Sequence, residues 1–410
     1  MADPVRRILE ADAGRDPERL ALKYRRMRAD PFAFLRATAH LFYADLPDAA
    51  ALRRAPAAWC CGDLHLENFG SYKADNRLVY FDVNDFDEAA LAPASWDLLR
   101  WLVSLDLAAE ALEVGDTARH ALIEQSLATY ASTLAAGRIG WVDRDQAEGV
   151  VGDLLAGLRE RRRPEFIAQR TELQGRRRVL RCDGKRALPA SDAARVAVTR
   201  CIDAFAASQP RPDFFRVLDV ARRIAGTGSL GLTRYAVLVQ GKSDGTDDIR
   251  DGNGLHILDL KAANSSALTP FLPVAQPAWA SPAQRIVALQ QRLQAVPMAF
   301  LHAVGTPGLD GPSFVLRALQ PSEDRVSIAP GRGADRALAQ LAATQAALIA
   351  WSQLRSSGRQ GSAVADAWID FGSDPGWRAA LVAAAGQSTA QLRRDARTFQ
   401  AACAAGAFDT

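Results

Sequence analysis

The stretch WCCGDLHLENFG, residues 59–70, places an aspartate, a histidine, a glutamate and an asparagine within a short loop that follows an apolar run. Asp63 and Asn68 flank this loop. The strand-like segment LVYF then leads to a second acidic set: Asp82, Asp85, Asp87 and Glu88. Carboxylate and amide oxygens of this kind suit Mg²⁺, which takes hard oxygen ligands. A carboxylate that binds no metal can accept a proton from an incoming hydroxyl group.

The composition of the chain, with 49% hydrophobic and 24% charged residues, is typical of a soluble globular protein. The net charge of +3 is too small to indicate a nucleic-acid partner. The five cysteines form no C-x-x-C pair, which suits a reducing compartment. The charged start of the chain does not resemble a signal peptide, and no apolar run reaches the length of a membrane span. We expect a cytoplasmic protein without a membrane or nucleic-acid partner.

Periodicity divides the 410 residues into three parts. Residues 1–205 are predicted to form a helical part that contains the acidic loops, with helical patterning that continues, with breaks, from residue 93 to about 205. Residues 206–325 alternate as strands do and are predicted to form a β-rich part. Residues 326–410 are again helical and are expected to return to the first part. The fold class predicted from this order is α+β.

A glycine-rich motif, GTGSLG, lies in the β-rich part and contains Gly226, Gly228, Ser229 and Gly231. Such a motif is weak alone, and in dinucleotide-binding units it joins a strand to a helix. Here it joins two strand-like segments, as the flap over the ATP phosphates does in protein kinases. One strand further on lies Lys261, one of only five lysines among the 50 basic residues. A lysine at this place is similar to the kinase lysine that steadies the phosphates.

The segment GDLHLEN resembles the catalytic loop of aminoglycoside phosphotransferases and choline kinases, and NDFDEAALAPASWDLLR resembles their metal-binding segment with its following helix. The resemblance implies that Asp63 is the catalytic base and that Asn68 and Asp85 bind Mg²⁺. It also implies that Asp97 braces the loop from the helix. His65 either takes part in catalysis or orients the loop. Spacing favours Asp85 over the neighbouring aspartate at position 82 as the metal ligand.

The chain as a whole resembles a family of uncharacterised bacterial proteins (domain of unknown function 2252), through PFAFLR, GDLHLENFG, NDFDEA, GTGSLG and LKAA. In an ordinary kinase the glycine flap and the lysine precede the catalytic loop, whereas here they follow it. A circular permutation of a two-lobed, protein-kinase-like fold accounts for this order. Two departures from the kinase pattern stand out. Cys61 replaces the first histidine of H-G-D, and residues 282–295 contain no glutamate that could pair with Lys261.

These observations predict an enzyme that uses ATP and Mg²⁺ to phosphorylate a hydroxyl group of an unknown small molecule or protein. Two alternatives remain open, namely an ATP-binding pseudokinase that serves as a scaffold and a nucleotidyl transferase on the same fold. A binuclear metallophosphoesterase is disfavoured, because the five histidines are scattered and none follows a Gly-Asn pair. In a purely structural interpretation, Asp63 and Asn68 would only shape a turn.

Overall fold

The computed structural model describes residues 3–175, 177–224, 231–242, 252, 254–305, 312–321 and 325–408. The chain is a mixed α+β protein, as predicted. Of the predicted glycine motif, Gly226, Gly228 and Ser229 lie outside the described residues, and Gly231 lies within them. No helix in the described ranges combines the length and the apolar character needed to cross a membrane.

Helices make up about half of the described chain. Their bounds are α1 (Pro4–Asp12), α2 (Pro17–Ala29), α3 (Pro31–Ala37), α4 (Ala39–Ala44), α5 (Ala50–Arg54), α6 (Ala94–Ala111), α7 (Asp116–Ala135), α8 (Gly149–Gly157), α9 (Arg163–Arg170), α10 (Asp192–Ala206), α11 (Pro282–Leu293), α12 (Ala334–Arg355), α13 (Ala365–Ser373) and α14 (Arg378–Ala404). Several begin with an aspartate or serine cap followed by proline, which satisfies free N–H groups and fits the first turn.

The strands are short and antiparallel. They are β1 (Ala57–Cys60), β2 (Phe69–Lys73), β3 (Val79–Val83), β4 (Ala90–Pro93), β5 (Thr171–Gln174), β6 (Arg177–Leu180), β7 (Ala187–Pro189), β8 (Val217–Arg223), β9 (Arg234–Val239), β10 (His256–Ala262), β11 (His302–Val304) and β12 (Phe314–Ala318). Six of them form one sheet in the order β11-β12-β10-β9-β8-β7. The pairs β1-β4, β2-β3 and β5-β6 form separate two-stranded sheets.

The prediction of helical structure up to about residue 205 is wrong for residues 171–189, which form β5, β6 and β7. These strands are only three or four residues long, so their sequence shows no clear period of two. Tertiary contacts hold them instead, since β7 pairs with β8 and Leu180 N donates to Asp219 Oδ2 at 2.7 Å. The six-stranded sheet therefore also uses residues that precede position 206.

Helix α6 is buried along most of its length and brings polar groups to the centre of the molecule. Its sequence is apolar on nearly every face, as expected for a helix surrounded by protein. Asp97 and Arg100 are the charged side chains buried on it. A buried charge needs a partner. Both side chains have their partners in the loop that precedes β2. Helix α6 therefore positions this loop.

Strand β10 lies between β9 and β12 and has two different faces. Leu258 and Leu260 pack in an apolar cluster that includes residues of α10. Because side chains alternate along a strand, Asp259 and Lys261 share the opposite face. Both are buried, with 1% and 3% of their surface exposed. The sheet thus presents two charged residues toward the helical part of the chain.

Candidate functional site

The loop at residues 61–68 is fixed at its start by Asp97 of α6. The carboxylate of Asp97 accepts hydrogen bonds from Cys61 N at 2.7 Å and from Gly62 N at 3.0 Å. Burial raises the pKa of Asp97 to about 6, although the two N–H donors act in the opposite direction. The structure thus contains the bracing contact that the resemblance implied for Asp97.

Gly62 lies directly against the second acidic loop. Its φ is +82°, and a Cβ at this position would come within 2.1 Å of Glu88 O. The second loop is held in turn by Arg285 of α11, which donates to Asp87 O at 2.7 Å, and by Ser266 Oγ, which donates to Glu88 O at 2.9 Å. The two acidic loops are therefore fixed against each other by backbone contacts.

Asn68 joins the two loops through its side chain. Its Nδ2 donates to Asp63 O at 3.1 Å and to Asp85 O at 3.2 Å. Within the described residues its buried Oδ1 has no hydrogen-bond partner, and the same holds for Oδ1 of Asn84. Both asparagines line the same cleft. An amide oxygen that is held in place but lacks a donor can coordinate a hard cation. The sequence had not indicated Asn84.

The carboxylate of Asp63 is paired with Arg100 of α6. Arg100 Nε donates to Asp63 Oδ1 at 2.7 Å, and Arg100 Nη2 donates to Leu35 O at 2.7 Å. Arg100 is fully buried, whereas a quarter of the Asp63 side chain is exposed. Burial raises the pKa of Asp63, and the charge of Arg100 opposes this effect. Sequence reasoning missed this pair, although an arginine inside the apolar run LLRWLV was a usable signal.

His65 is buried and lines the same cleft. Its ring meets Phe32 edge to face at 5.9 Å, and its Nδ1 has no hydrogen-bond partner within the described ranges. Burial, followed by the charges of Arg36 and Arg100, lowers the pKa of His65 well below its usual value. The imidazole is therefore neutral at physiological pH.

Lys261 reaches across from the sheet to the second acidic loop. Its Nζ lies 3.5 Å from Asp85 Oδ1 and forms an ion pair with Asp87. These two aspartates are the acidic partners of Lys261 within the described chain, and α11 supplies none. Burial tends to raise the pKa of Asp85, but the charges of Lys261 and Arg317 outweigh it and lower this pKa to about 2. Asp85 is therefore ionised at any physiological pH.

Asp82, the alternative metal ligand, lies elsewhere. Its carboxylate accepts hydrogen bonds from Val83 N at 2.8 Å and Ala295 N at 3.1 Å. Asp85 lines the cleft with Asp63 and Asn68, whereas Asp82 is not among the described lining residues. Of the two aspartates, the geometry brings Asp85 into the site.

A group of arginines surrounds Asp259 on the sheet. Asp259 accepts from Arg234 Nε at 2.7 Å and from Arg317 Nε at 3.2 Å, and Arg223 Nη1 lies 2.8 Å from its Oδ1. Burial opposes the ionised carboxylate, yet the three arginines hold the pKa of Asp259 well below its usual range. Arg317 also donates to Asn84 O at 3.2 Å, which links this arginine group to the acidic loops.

The acidic loops and the arginine group line one cleft of about 1010 Å³. Its described lining residues include eleven arginines and lysines but only six aspartates and glutamates. This balance favours an anionic ligand. Gly231, with φ +91°, lines a smaller neighbouring cavity of about 250 Å³ together with Lys261 and Arg234. No cluster of three or more His, Cys, Asp or Glu side chains in the described chain is arranged to hold a metal ion.

The pattern of the family described as "Uncharacterized protein conserved in bacteria (DUF2252)" matches residues 15–402 of the chain. The chain therefore belongs to this family, as the sequence motifs had predicted. No curated protein and no solved structure matches the chain.

Proposed function

We propose that this member of the DUF2252 family is a phosphotransferase that uses ATP and Mg²⁺ to phosphorylate a hydroxyl group of a small molecule or protein. In this proposal the helical part and the six-stranded sheet are the two lobes of a protein-kinase-like fold with a circularly permuted chain. The residues after α12 lie beside β1, since Ala363 N donates to Ala57 O at 2.8 Å. In the unpermuted order, α12 would thus lead into the strand before Asp63. The use of ATP places the reaction in the cytoplasm.

One observation carries the proposal, namely the contact between Lys261, which lines the smaller cavity, and Asp85, which lines the cleft. The two residues are 176 positions apart in the chain and belong to different structural parts. A lysine from a sheet that faces a carboxylate next to a loop asparagine is the arrangement expected around a triphosphate with its metal ion. The arginine group beside Lys261 adds the positive charge that several phosphate groups require.

The donor set suits Mg²⁺. Asn68 Oδ1 is buried without a partner in the described chain, and the ionised carboxylate of Asp85 lies in the same cleft. One or two protein oxygens are a usual share for Mg²⁺, which completes its shell with water and phosphate. When bound, the ion would neutralise phosphate charge and hold the terminal phosphate in line for transfer. Asn84 could supply a further oxygen.

The proposed step transfers one phosphoryl group. The acceptor oxygen forms a bond to the γ-phosphorus, the bond from this phosphorus to the β–γ bridging oxygen breaks, and ADP leaves. The proton of the hydroxyl group passes to the carboxylate of Asp63, whose raised pKa makes it a better base than an exposed aspartate. Arg100 orients this carboxylate, and His65, being neutral, orients the loop. Gly231 belongs to the segment that would cover the phosphates.

The pairing of Asp63 with Arg100 also favours a second candidate function. A carboxylate that bonds a buried guanidinium is a weaker proton acceptor than an equally buried carboxylate without such a partner. The same site would then bind ATP without transferring phosphate, as in a scaffold protein. Nucleotidyl transfer from an inverted ATP is a third possibility for the same cleft, and the experiment below distinguishes all three.

The test incubates the purified chain with ATP, Mg²⁺ and a bacterial cell extract and analyses the products by mass spectrometry. The proposal expects a phosphate-sized mass increase on an acceptor. Asp63→Asn should reduce the rate by about 10²- to 10⁴-fold without loss of nucleotide binding. Asp85→Asn should lose the Mg²⁺-dependent part of nucleotide binding. The matched control is Asp153→Asn, which changes an exposed aspartate of α8 outside the cleft.

A nucleotide-sized increase would establish nucleotidyl transfer instead. ATP binding without any product would support the scaffold. The proposal fails altogether if the wild-type chain does not bind ATP, or if Lys261→Ala binds it as tightly as the wild type does.

A further inference from the structure

Helix α3, which carries the motif PFAFLR, forms a wall beside Asp63. Leu35 O accepts a hydrogen bond from Arg100, the residue that also bonds Asp63. Phe32 packs against His65, and Arg36 forms an ion pair with Glu67 in the loop itself. Nothing in the proposed phosphoryl transfer uses Arg36, although it lines the cleft.

Arg36 shares its carboxylate partner with a second arginine. Arg325 Nη1 lies 3.6 Å from Glu67 Oε2, the same oxygen that Arg36 contacts. Two guanidinium groups therefore converge on one carboxylate, which leaves one positive charge in excess. Burial lowers the pKa of Arg325, and the nearby charge of Arg36 lowers it further. The Nε of Arg36 is buried without a hydrogen-bond partner in the described part of the chain.

These two arginines share Glu67 as their carboxylate partner, whereas the arginine group on the sheet shares Asp259, although the charge of Arg234 also acts on Arg325. Arg36 acts electrostatically on both Asp63 and His65. The arginines around Asp259, by contrast, come from the sheet. Strands β9 and β12 pair with β10, the strand of Lys261, and β8 pairs with β9. The cleft thus has two cationic regions, one centred on Asp259 and one on Glu67, and the triphosphate proposed at Lys261 is assigned to the first.

We propose that the second region, Arg36 with Arg325, binds an anionic group of the phosphate acceptor. This inference rests on the proposed function. A guanidinium group binds carboxylate and phosphate oxygens through paired N–H donors, and two such groups can bind one anion together. Glu67 is 40% exposed and can turn toward solvent when the anion enters. The acceptor is then a compound that carries both a hydroxyl group, placed at Asp63, and a phosphate or carboxylate.

The test uses glycerol 3-phosphate as the probe and glycerol as its uncharged counterpart. The chain is first saturated with the non-hydrolysable ATP analogue AMPPNP and Mg²⁺, so that the triphosphate region is filled. Binding of each probe is then measured by isothermal titration calorimetry, with ionic strength held constant by sodium chloride. We expect saturable binding of glycerol 3-phosphate at least tenfold tighter than that of glycerol. Arg36→Gln and Arg325→Gln should each weaken it about tenfold or more.

Arg138→Gln provides the matched control, because Arg138 is exposed and lies outside the cleft lining. It should bind the probe as the wild type does. All variants should retain AMPPNP binding. If AMPPNP binds but the two probes bind equally, or if the arginine variants bind glycerol 3-phosphate unchanged, the acceptor inference is overturned while the nucleotide site stands. Failure of AMPPNP to bind the wild type would overturn the proposed function instead.

Discussion

The two sides of the cleft hold their charges in different ways. On the helical side, Asp97 and Arg285 fix the acidic loops through hydrogen bonds to backbone N–H and C=O groups. On the sheet, Arg223, Arg234 and Arg317 are held mainly by one carboxylate, that of Asp259. The first arrangement fixes geometry, since a backbone bond sets the path of the loop. The second arrangement balances charge, because removal of the one carboxylate would leave three buried arginines without their shared partner.

The substitution with the largest expected effect on stability is at Asp259, on the sheet side of the cleft. Asp259→Asn keeps the shape of the side chain but removes its charge from among three buried guanidinium groups. Loss of one partner from a buried ion pair typically costs about 3–5 kcal/mol. We expect a decrease of this size in the free energy of unfolding, measured by urea denaturation. Asp203→Asn, on the exposed face of α10 that packs against the same sheet, should change it by less than about 0.5 kcal/mol.

If Asp259→Asn cost less than about 1 kcal/mol, the arginines would have to be neutralised mainly by other groups. Asp85 and Asp87 are the nearest such groups, since both act on Arg234. The two sides of the cleft would then not differ in the proposed way, with hydrogen bonds to the backbone on one side and a single shared carboxylate on the other.

On the helical side the corresponding change is Gly62→Ala. An alanine there would adopt φ +82° and place its Cβ 2.1 Å from Glu88 O, a backbone atom that cannot easily move. We expect a loss of about 2–4 kcal/mol in the free energy of unfolding, from backbone strain and overpacking together. Gly14→Ala is a matched control, because Gly14 has φ +77° but no atom within 4 Å of the added Cβ. Equal losses in both variants would show that the two loops are not in close contact.

The pH dependence of stability tests how Asp97 holds the loop on the helical side of the cleft. Burial raises the pKa of Asp97 from 3.8 to about 6, so the folded chain binds a proton more tightly there than the unfolded chain does. The stability gained from this proton is present below about pH 4 and is lost as the pH rises through about 6. The loss amounts to at most about 3 kcal/mol. Urea denaturation between these pH values should show the wild type losing stability relative to Asp97→Asn.

If the wild type instead gained stability relative to Asp97→Asn over this range, the two backbone N–H donors would outweigh burial. The pKa of Asp97 would then be lowered by folding rather than raised. The bracing contact would remain, but its carboxylate would be ionised throughout.

The sequence predicted the helical side of the site better than the sheet side. Asp63 and Asn68 are five positions apart and so share one loop, whereas the contact of Asp97 with this loop was expected from the resemblance. The roles of Asp63 as catalytic base and of Asn68 as metal ligand stay predictions. The family membership and the α+β class are confirmed. The contact of Lys261 with Asp85 was expected only through the resemblance, because 176 positions separate them.

The arginine partners could not be predicted from spacing. An arginine side chain is long, and its partner is chosen by the fold rather than by its neighbours in sequence. Arg223, Arg234 and Arg317 come from three strands and meet only in the sheet. Asp259 offered one signal, since a lone acid within the apolar run LHILDL must find a cation if it is buried. The short strands β5 to β7 were not predicted for a similar reason. Contacts with β8 stabilise them, and their own sequence pattern does not indicate strands.

The smallest expected effect concerns the ion pair between Arg222 of β8 and Asp16 at the start of α2. It connects the two sides, yet its side chains are 48% and 29% exposed and their nitrogen and oxygen lie 2.9 Å apart. Solvent screens such a pair, so Arg222→Ala should lower the free energy of unfolding by only about 0.2–1 kcal/mol, and less at high salt. Asp16 also caps α2 by accepting from Arg19 N at 3.2 Å. Asp16→Ala should therefore cost about 1 kcal/mol more than Arg222→Ala.

Urea denaturation of both variants at low and high salt separates the two contributions. The hydrogen bond from Arg222 lowers the pKa of Asp16, so the stability from this pair is present above the unfolded pKa and is lost as the pH falls through the folded one. A loss from Arg222→Ala that exceeds 1 kcal/mol and persists at high salt would mean that this pair, in addition to Lys261, fixes the sheet to the helical side. A small, salt-sensitive loss leaves the two contacts of Lys261, whose own side chain is only 4% exposed, as the stronger connection between the sheet and the helical side.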